Sequence, residues 1–160
     1  MGFLARSRRL HRLALLAPLL VAGAGCLDDD PTPRPVPTFT RIVLTFAQTG
    51  GGAPPQTIEI TRATGTASGS LTVPAAGGTV TARFLNADGS DDTILQQFSP
   101  EYETRIFQKS GSNVTWARSS KHVFLVTRAA TGSGTARMQL YDLGTRDEFL
   151  GADVTVNTPP

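Results

Sequence analysis

The chain reads as an all-β protein, an antiparallel sandwich of about seven to eight short strands set behind a leader and a proline-rich spacer. Three observations predict this. From Phe39 onward, short runs alternate apolar with polar residues, the period of a strand with one buried face. Clusters of glycine, proline, asparagine and aspartate break these runs at short intervals. No apolar repeat of helical spacing is long enough to bury a helix face.

The leader comes first. Residues 1–25 carry Arg6, Arg8, Arg9 and Arg12 and no acid, then an apolar run from Leu13 to Val21 broken only by Pro18. Small residues, Ala22 to Gly25, close the segment. A basic start, a short apolar middle and a small-residue end describe a secretory signal peptide. The apolar run falls short of the roughly 20 residues a bilayer span requires. Cleavage has two readings. Ala22-Gly23-Ala24 fits an ordinary signal peptidase, while Cys26 directly follows the small-residue end.

Cys26 is the only cysteine of 160 residues, so no intramolecular disulfide can form. An exported chain has little other use for a lone thiol. Gly23-Ala24-Gly25-Cys26 resembles a bacterial lipobox, departing at Gly23, where that motif usually has leucine. The resemblance implies lipidation of Cys26 and an anchor of three acyl chains. Each buried methylene contributes about 0.8 kcal/mol, so such an anchor is effectively permanent.

Removal of the leader changes the charge. The whole chain has 15 Lys and Arg against 13 Asp and Glu, a net +2. Four of those cations precede Cys26, which leaves 11 against 13 and a net charge of −2. The remaining chain has no basic surplus, so nucleic acid is not expected as a partner. No glycine-rich loop sits between a strand and a helix, so no nucleotide is expected either.

Residues 26–38 form the spacer. Asp28-Asp29-Asp30 is followed by Pro31, Pro33, Pro35 and Pro37 at alternate positions. That spacing favours an extended polyproline rod of about 3.1 Å per residue. The three aspartates would be repelled by anionic headgroups. Leu27 follows the cysteine, and the absence of aspartate there points to the outer membrane of the cell envelope.

Residues 39–160 are one domain's worth of chain. Ile42, Leu44 and Phe46 share one strand face; Ile58 and Ile60 follow after Gly50-Gly51-Gly52 and Pro54-Pro55. Leu71 and Val73 precede the turn at Gly77-Gly78, and Val80, Ala82 and Phe84 form the cleanest alternation. Asn86 to Ser90 contains Asp88-Gly89, a tight reversal. Tyr102, Thr104 and Ile106 make a strand, and Val114 and Trp116 a short one. From His122 to Val126 the run is apolar on both faces, as expected of a central strand. Gly132 to Gly134 reads as a turn into Ala136, Met138 and Leu140, and Val154 and Val156 lie on the last strand. A small closed barrel is the alternative architecture.

"GGTVTARFLNADGS" (77–90), Trp116, "ATGSGTARMQLYD" (130–142) and "ADVTVNT" (152–158) stand in an order that resembles bacterial Ig-like domains. The likeness spans about half of the chain, and it implies an Ig-like β-sandwich with Trp116 buried at its centre. The chain also resembles small bacterial lipoproteins built from one such domain. Some of those carry a His-Glu-Asp cluster and histidine-rich tails; this sequence has neither.

Candidate sites are few. His122 is the sole histidine after residue 25, too little for a zinc or copper centre. No G-x-S-x-G pattern accompanies it, so it reads as a half-exposed strand histidine, and no catalytic residue or cofactor is assigned. Asp88, Ser90, Asp91 and Asp92 collect oxygen ligands in one loop, with Asp88, Ser90 and Asp92 a weak calcium candidate. The loop lacks EF-hand spacing and reads first as a solvated turn. Asn113-Val114-Thr115 matches a glycosylation acceptor, a pattern without that meaning in most bacteria. The expected function is therefore non-catalytic: an envelope lipoprotein held by the lipid on Cys26, binding an envelope protein or glycan or acting as a spacer. A periplasmic ligand or metal carrier is the second reading and a hydrolase built on His122 the third.

Overall fold

The computed structural model of the chain describes residues 36–96 and 101–160. The leader, Cys26 and the spacer up to residue 35 lie outside the described residues. The described residues belong to one compact unit.

Ten strands and one helical turn make up the described residues: β1 (Arg41–Gln48), β2 (Gln56–Thr61), β3 (Thr66–Ser68), β4 (Ser70–Thr72), β5 (Gly78–Leu85), α1 (Thr93–Gln96), β6 (Tyr102–Ser110), β7 (Val114–Ser120), β8 (Val123–Arg128), β9 (Gly132–Asp142) and β10 (Asp147–Thr158). They form a β-sandwich. One sheet has the order β3-β2-β1-β5-β8-β7, the other β4-β10-β9-β6. The alternation read from the sequence places Ile42, Leu44, Phe46, Ile58, Ile60, Val80, Phe84 and Phe124 inside, facing Leu71, Ile106, Met138, Leu140, Val154 and Val156. Each large apolar side chain so buried contributes about 1.5–3 kcal/mol. The core is filled: the gap left between the sheets beside Leu44, Met138 and Trp116 measures about 10 Å³. That is the volume of about one water.

The strand count exceeds the expected seven to eight, in part because residues 66–68 form a short strand, β3, that no apolar alternation marks. Gly69, at φ +87°, lets the chain leave one sheet after β3 and enter the other as β4. β4 then pairs in parallel with β10, the exception in an otherwise antiparallel fold. This crossing covers one side of the sandwich. On the opposite side β6 and β7 are both edge strands, and each carries a register shift, at Gln108/Ser110 and at Arg118/Ser120. Such irregularities blunt an exposed edge.

Three further expectations are corrected. Gly132 to Gly134 lie inside β9, paired with β10, and the glycine at 134 serves packing rather than a turn: a Cβ there would meet Gln108 Nε2 at 2.5 Å and Ser110 O at 2.6 Å. β8 is not buried on both faces. Leu125 points outward and is 48% exposed, while Phe124 and Val126 point inward. Trp116 is not at the centre of the sandwich. It sits half-buried on edge strand β7, its Nε1 donating to Gln108 Oε1 at 3.2 Å.

The two outer faces differ. On the four-stranded sheet, Arg137 donates to Glu148 at 2.5 Å and to Asp153 at 2.8 Å, and Lys109 holds the other oxygen of Asp153 at 2.5 Å. These bonds hold Glu148 and Asp153 below the usual carboxylate range; Arg137 is the first cause for Glu148 and Lys109 for Asp153. On the six-stranded sheet Thr57, Thr45, Thr81 and Val123 lie side by side across four strands, facing out.

Candidate functional site

The sandwich has two ends, and the site is built at the one where the chain enters. Here lie the start of β1, loop 62–65, loop 86–92 with α1, residues 121–122 and loop 143–146.

Asp92 is the organising residue. It precedes α1 and is completely buried. Its Oδ1 accepts the Leu95 N–H at 3.1 Å, capping the helical turn. Its Oδ2 accepts the Thr38 N–H at 2.5 Å, the Phe39 N–H at 2.9 Å and the Thr38 hydroxyl at 3.2 Å. A buried carboxylate costs free energy unless hydrogen bonds compensate it, and these do. Arg62 grips the same segment from the other side. Its Nη1 donates to Pro37 O at 2.8 Å and Phe39 O at 3.1 Å, and the guanidinium stacks on Phe39 and Phe149 at 4.8 and 4.9 Å. Phe39 itself is fully buried, edge-on to Phe84 with ring centroids 5.2 Å apart.

His122 belongs to this network. It occupies the β7–β8 turn rather than a strand, half-buried and edge-on to Phe84. Its Nε2 lies 3.0 Å from Leu95 O, which can only accept, so Nε2 carries the proton. Nδ1 then accepts the Thr104 hydroxyl at 2.8 Å. Burial holds the imidazole below its ordinary value, and the charges of Lys121 and Arg118 push the same way. Both ring nitrogens are engaged by the chain itself. An open groove of about 450 Å³ runs beside it, lined by Arg83, Asp91, Ser120 and Lys121 among others. The hydroxyl that pairs with the ring, that of Thr104, is completely buried rather than presented to the groove.

The acidic loop divides rather than converges. Asp88 accepts the Ser90 N–H at 2.9 Å and its hydroxyl at 2.6 Å, bonds that hold its carboxyl below the usual range. Asp91 makes a paired contact with Arg83 at 3.1 and 2.9 Å. Asp92 turns inward. The calcium candidates Asp88, Ser90 and Asp92 are thus not brought together as a ligand set, and no three His, Cys, Asp or Glu converge among the described residues. The sequence reading missed the inward role of Asp92, though Asp92-Thr93-Ile94-Leu95 carries its signal: a capping residue before two apolar positions. Nothing local marked Arg62 or Thr104, whose partners are distant in sequence.

At the far end, Asn113 closes the sandwich. It is buried, donating Nδ2 to Val156 O at 3.0 Å and to Thr158 Oγ1 at 3.3 Å, so the amide of the acceptor-like motif is sealed in the core while its Thr115 is exposed. No helix among the described residues is long and apolar enough to cross a membrane. No family model matches the chain, and no curated protein matches it.

Proposed function

We propose that this chain is a non-catalytic, lipid-anchored lipoprotein of the cell envelope whose Ig-like domain serves as a binding or spacer module. The observation that carries the reading is the place of Cys26: the only thiol, at the seam between a signal-like segment and an acidic, proline-rich spacer. Leu27 favours the outer membrane as its address. The strand order supports the Ig-like part. β1-β5-β8-β7 opposite β6-β9-β10 follows the ABED and CFG sheets of constant-type immunoglobulin domains, with β2, β3 and β4 added.

Function then rests on surface and position rather than on a reacting group. The partner class is an envelope protein or a glycan, met by the domain at a distance set by the spacer. Fractionation tests the reading. The wild type should stay with membranes through a high-salt wash and leave only in detergent, while a Cys26→Ala chain should become soluble. Equal behaviour of the two would overturn it.

A further inference from the structure

We infer that the contact set around Asp92 and Arg62 is a mechanical clasp, which locks residues 37–39 to both sheets so that tension on the spacer is held ahead of β1. This deepens the anchored-lipoprotein reading and rests on it for the origin of the tension.

The placement is the first reason. The gripped residues stand before the first strand, so a pull arriving from the N-terminal side meets them before any ladder hydrogen bond of β1. β10 ends at the far end of the sandwich, so a pull between the two termini runs along β1 and loads the clasp ahead of the strand's own ladder. Pro37 and Phe39 are buried and Thr38 is exposed, although none of the three is in a strand.

Connectivity is the second. Asp92 bonds Thr38 and Phe39 on one side and caps α1 on the other. The carbonyl of Leu95, in α1, accepts from Lys121 Nζ and from His122 Nε2, each at 3.0 Å. His122 in turn holds Thr104 of β6, in the opposite sheet. Load therefore passes from residues 38–39 through Asp92 and α1 into the β7–β8 turn and on to the four-stranded sheet. Arg62 adds a second path, from Pro37 and Phe39 to the end of β2 and, by stacking on Phe149, to β10.

The third reason is chemical. A buried carboxylate and an arginine bonded to backbone are costly means of fixing three residues if apolar packing would do. They are suited to holding backbone directly, since charge-assisted bonds to N–H and C=O groups are roughly twice as strong as neutral ones.

Cys26 is the unique thiol and therefore a natural handle. The full unprocessed chain, held by Cys26 and its C-terminus, is stretched in a single-molecule instrument as wild type, Asp92→Asn and Arg62→Gln. Amide exchange of Thr38 and Phe39 is followed in parallel. The wild type should rupture in one high-force event, with both amides protected. Each variant should release a short N-terminal length at low force first, and its Thr38 and Phe39 amides should exchange about tenfold faster or more. Should Asp92→Asn fail to fold, Arg62→Gln decides alone. Unchanged rupture force and exchange in the folded variants would overturn the clasp. A chain found without lipid on Cys26 would remove the anchored reading while leaving the measured rupture behaviour intact, so the two failures are distinguishable.

Discussion

The two ends of the sandwich are closed around buried polar side chains, and the residue that organises each end is of a different kind. Asp92 closes the end where the chain enters, and Asn113 closes the other. Around Asp92 the loops are charged, with Arg62, Asp88, Asp91, Lys121 and Arg146 within them. Loops 49–55, 73–77, 111–113 and 129–131 at the far end hold no Asp, Glu, Lys or Arg. A neutral amide suffices to join β7 to the end of β10, because Val156 O and Thr158 Oγ1 accept from its Nδ2 while Gln108 Nε2 donates to its Oδ1. Holding the backbone of an unstranded entry segment takes a full charge and an arginine. The difference shows where this fold concentrates charge: around the segment that precedes β1.

The largest test of that contrast is Asp92→Ala. It leaves the N–H groups of Thr38, Phe39 and Leu95 unpaired inside the protein, and should cost about 3–5 kcal/mol of stability in urea unfolding. Asn113→Ala should cost less, about 1–3 kcal/mol, since it strands neutral groups only. Equal losses would erase the distinction between the ends.

Next in size is a dependence on pH that belongs to the entry end. His122 titrates at about 6.5 when unfolded and lower when folded. The unfolded chain thus binds the proton first as pH falls. Stability is full above pH 6.5 and declines below it until the folded imidazole is protonated too. His122→Gln should flatten this acid limb in thermal melts taken across that range, and Asn113→Ala should leave its shape alone. Smallest is Asp88→Ala, on the solvent side of the same loop, which should leave the unfolding midpoint unmoved; a clear drop would mean that the outer loop shares the clasp's work.

Much of the fold was legible because alternation and burial are the same fact seen twice. Val80, Ala82 and Phe84 could face only one way, and β1, β2, β5 and β6 followed from such runs. The Asp88-Gly89 turn was equally plain, since it needs a residue tolerant of positive φ. What escaped depends on contacts far along the chain. Leu125 looks like core to its neighbours, yet it faces outward with Thr79 and Ala117 beside it on the adjoining strands. Trp116 is shifted to an edge by the place of β7 in the sheet, which no local pattern encodes. At the site, clustered carboxylates suggested convergence, whereas Asp88, Asp91 and Asp92 are drawn apart by Ser90, Arg83 and the Thr38–Phe39 backbone. His122 read as a half-exposed strand histidine without a network because its partners, Thr104 and Leu95, lie 18 and 27 residues away.

All of this gives the entry end its meaning only if something upstream is anchored. The most direct measurement is the intact mass of the mature protein from its native membrane, taken beside a Cys26→Ala variant. The account predicts a chain beginning at Cys26 that carries a diacylglyceryl and an acyl adduct, both lost in the variant. A mass matching cleavage after Ala24, with Cys26 a free thiol, would contradict it.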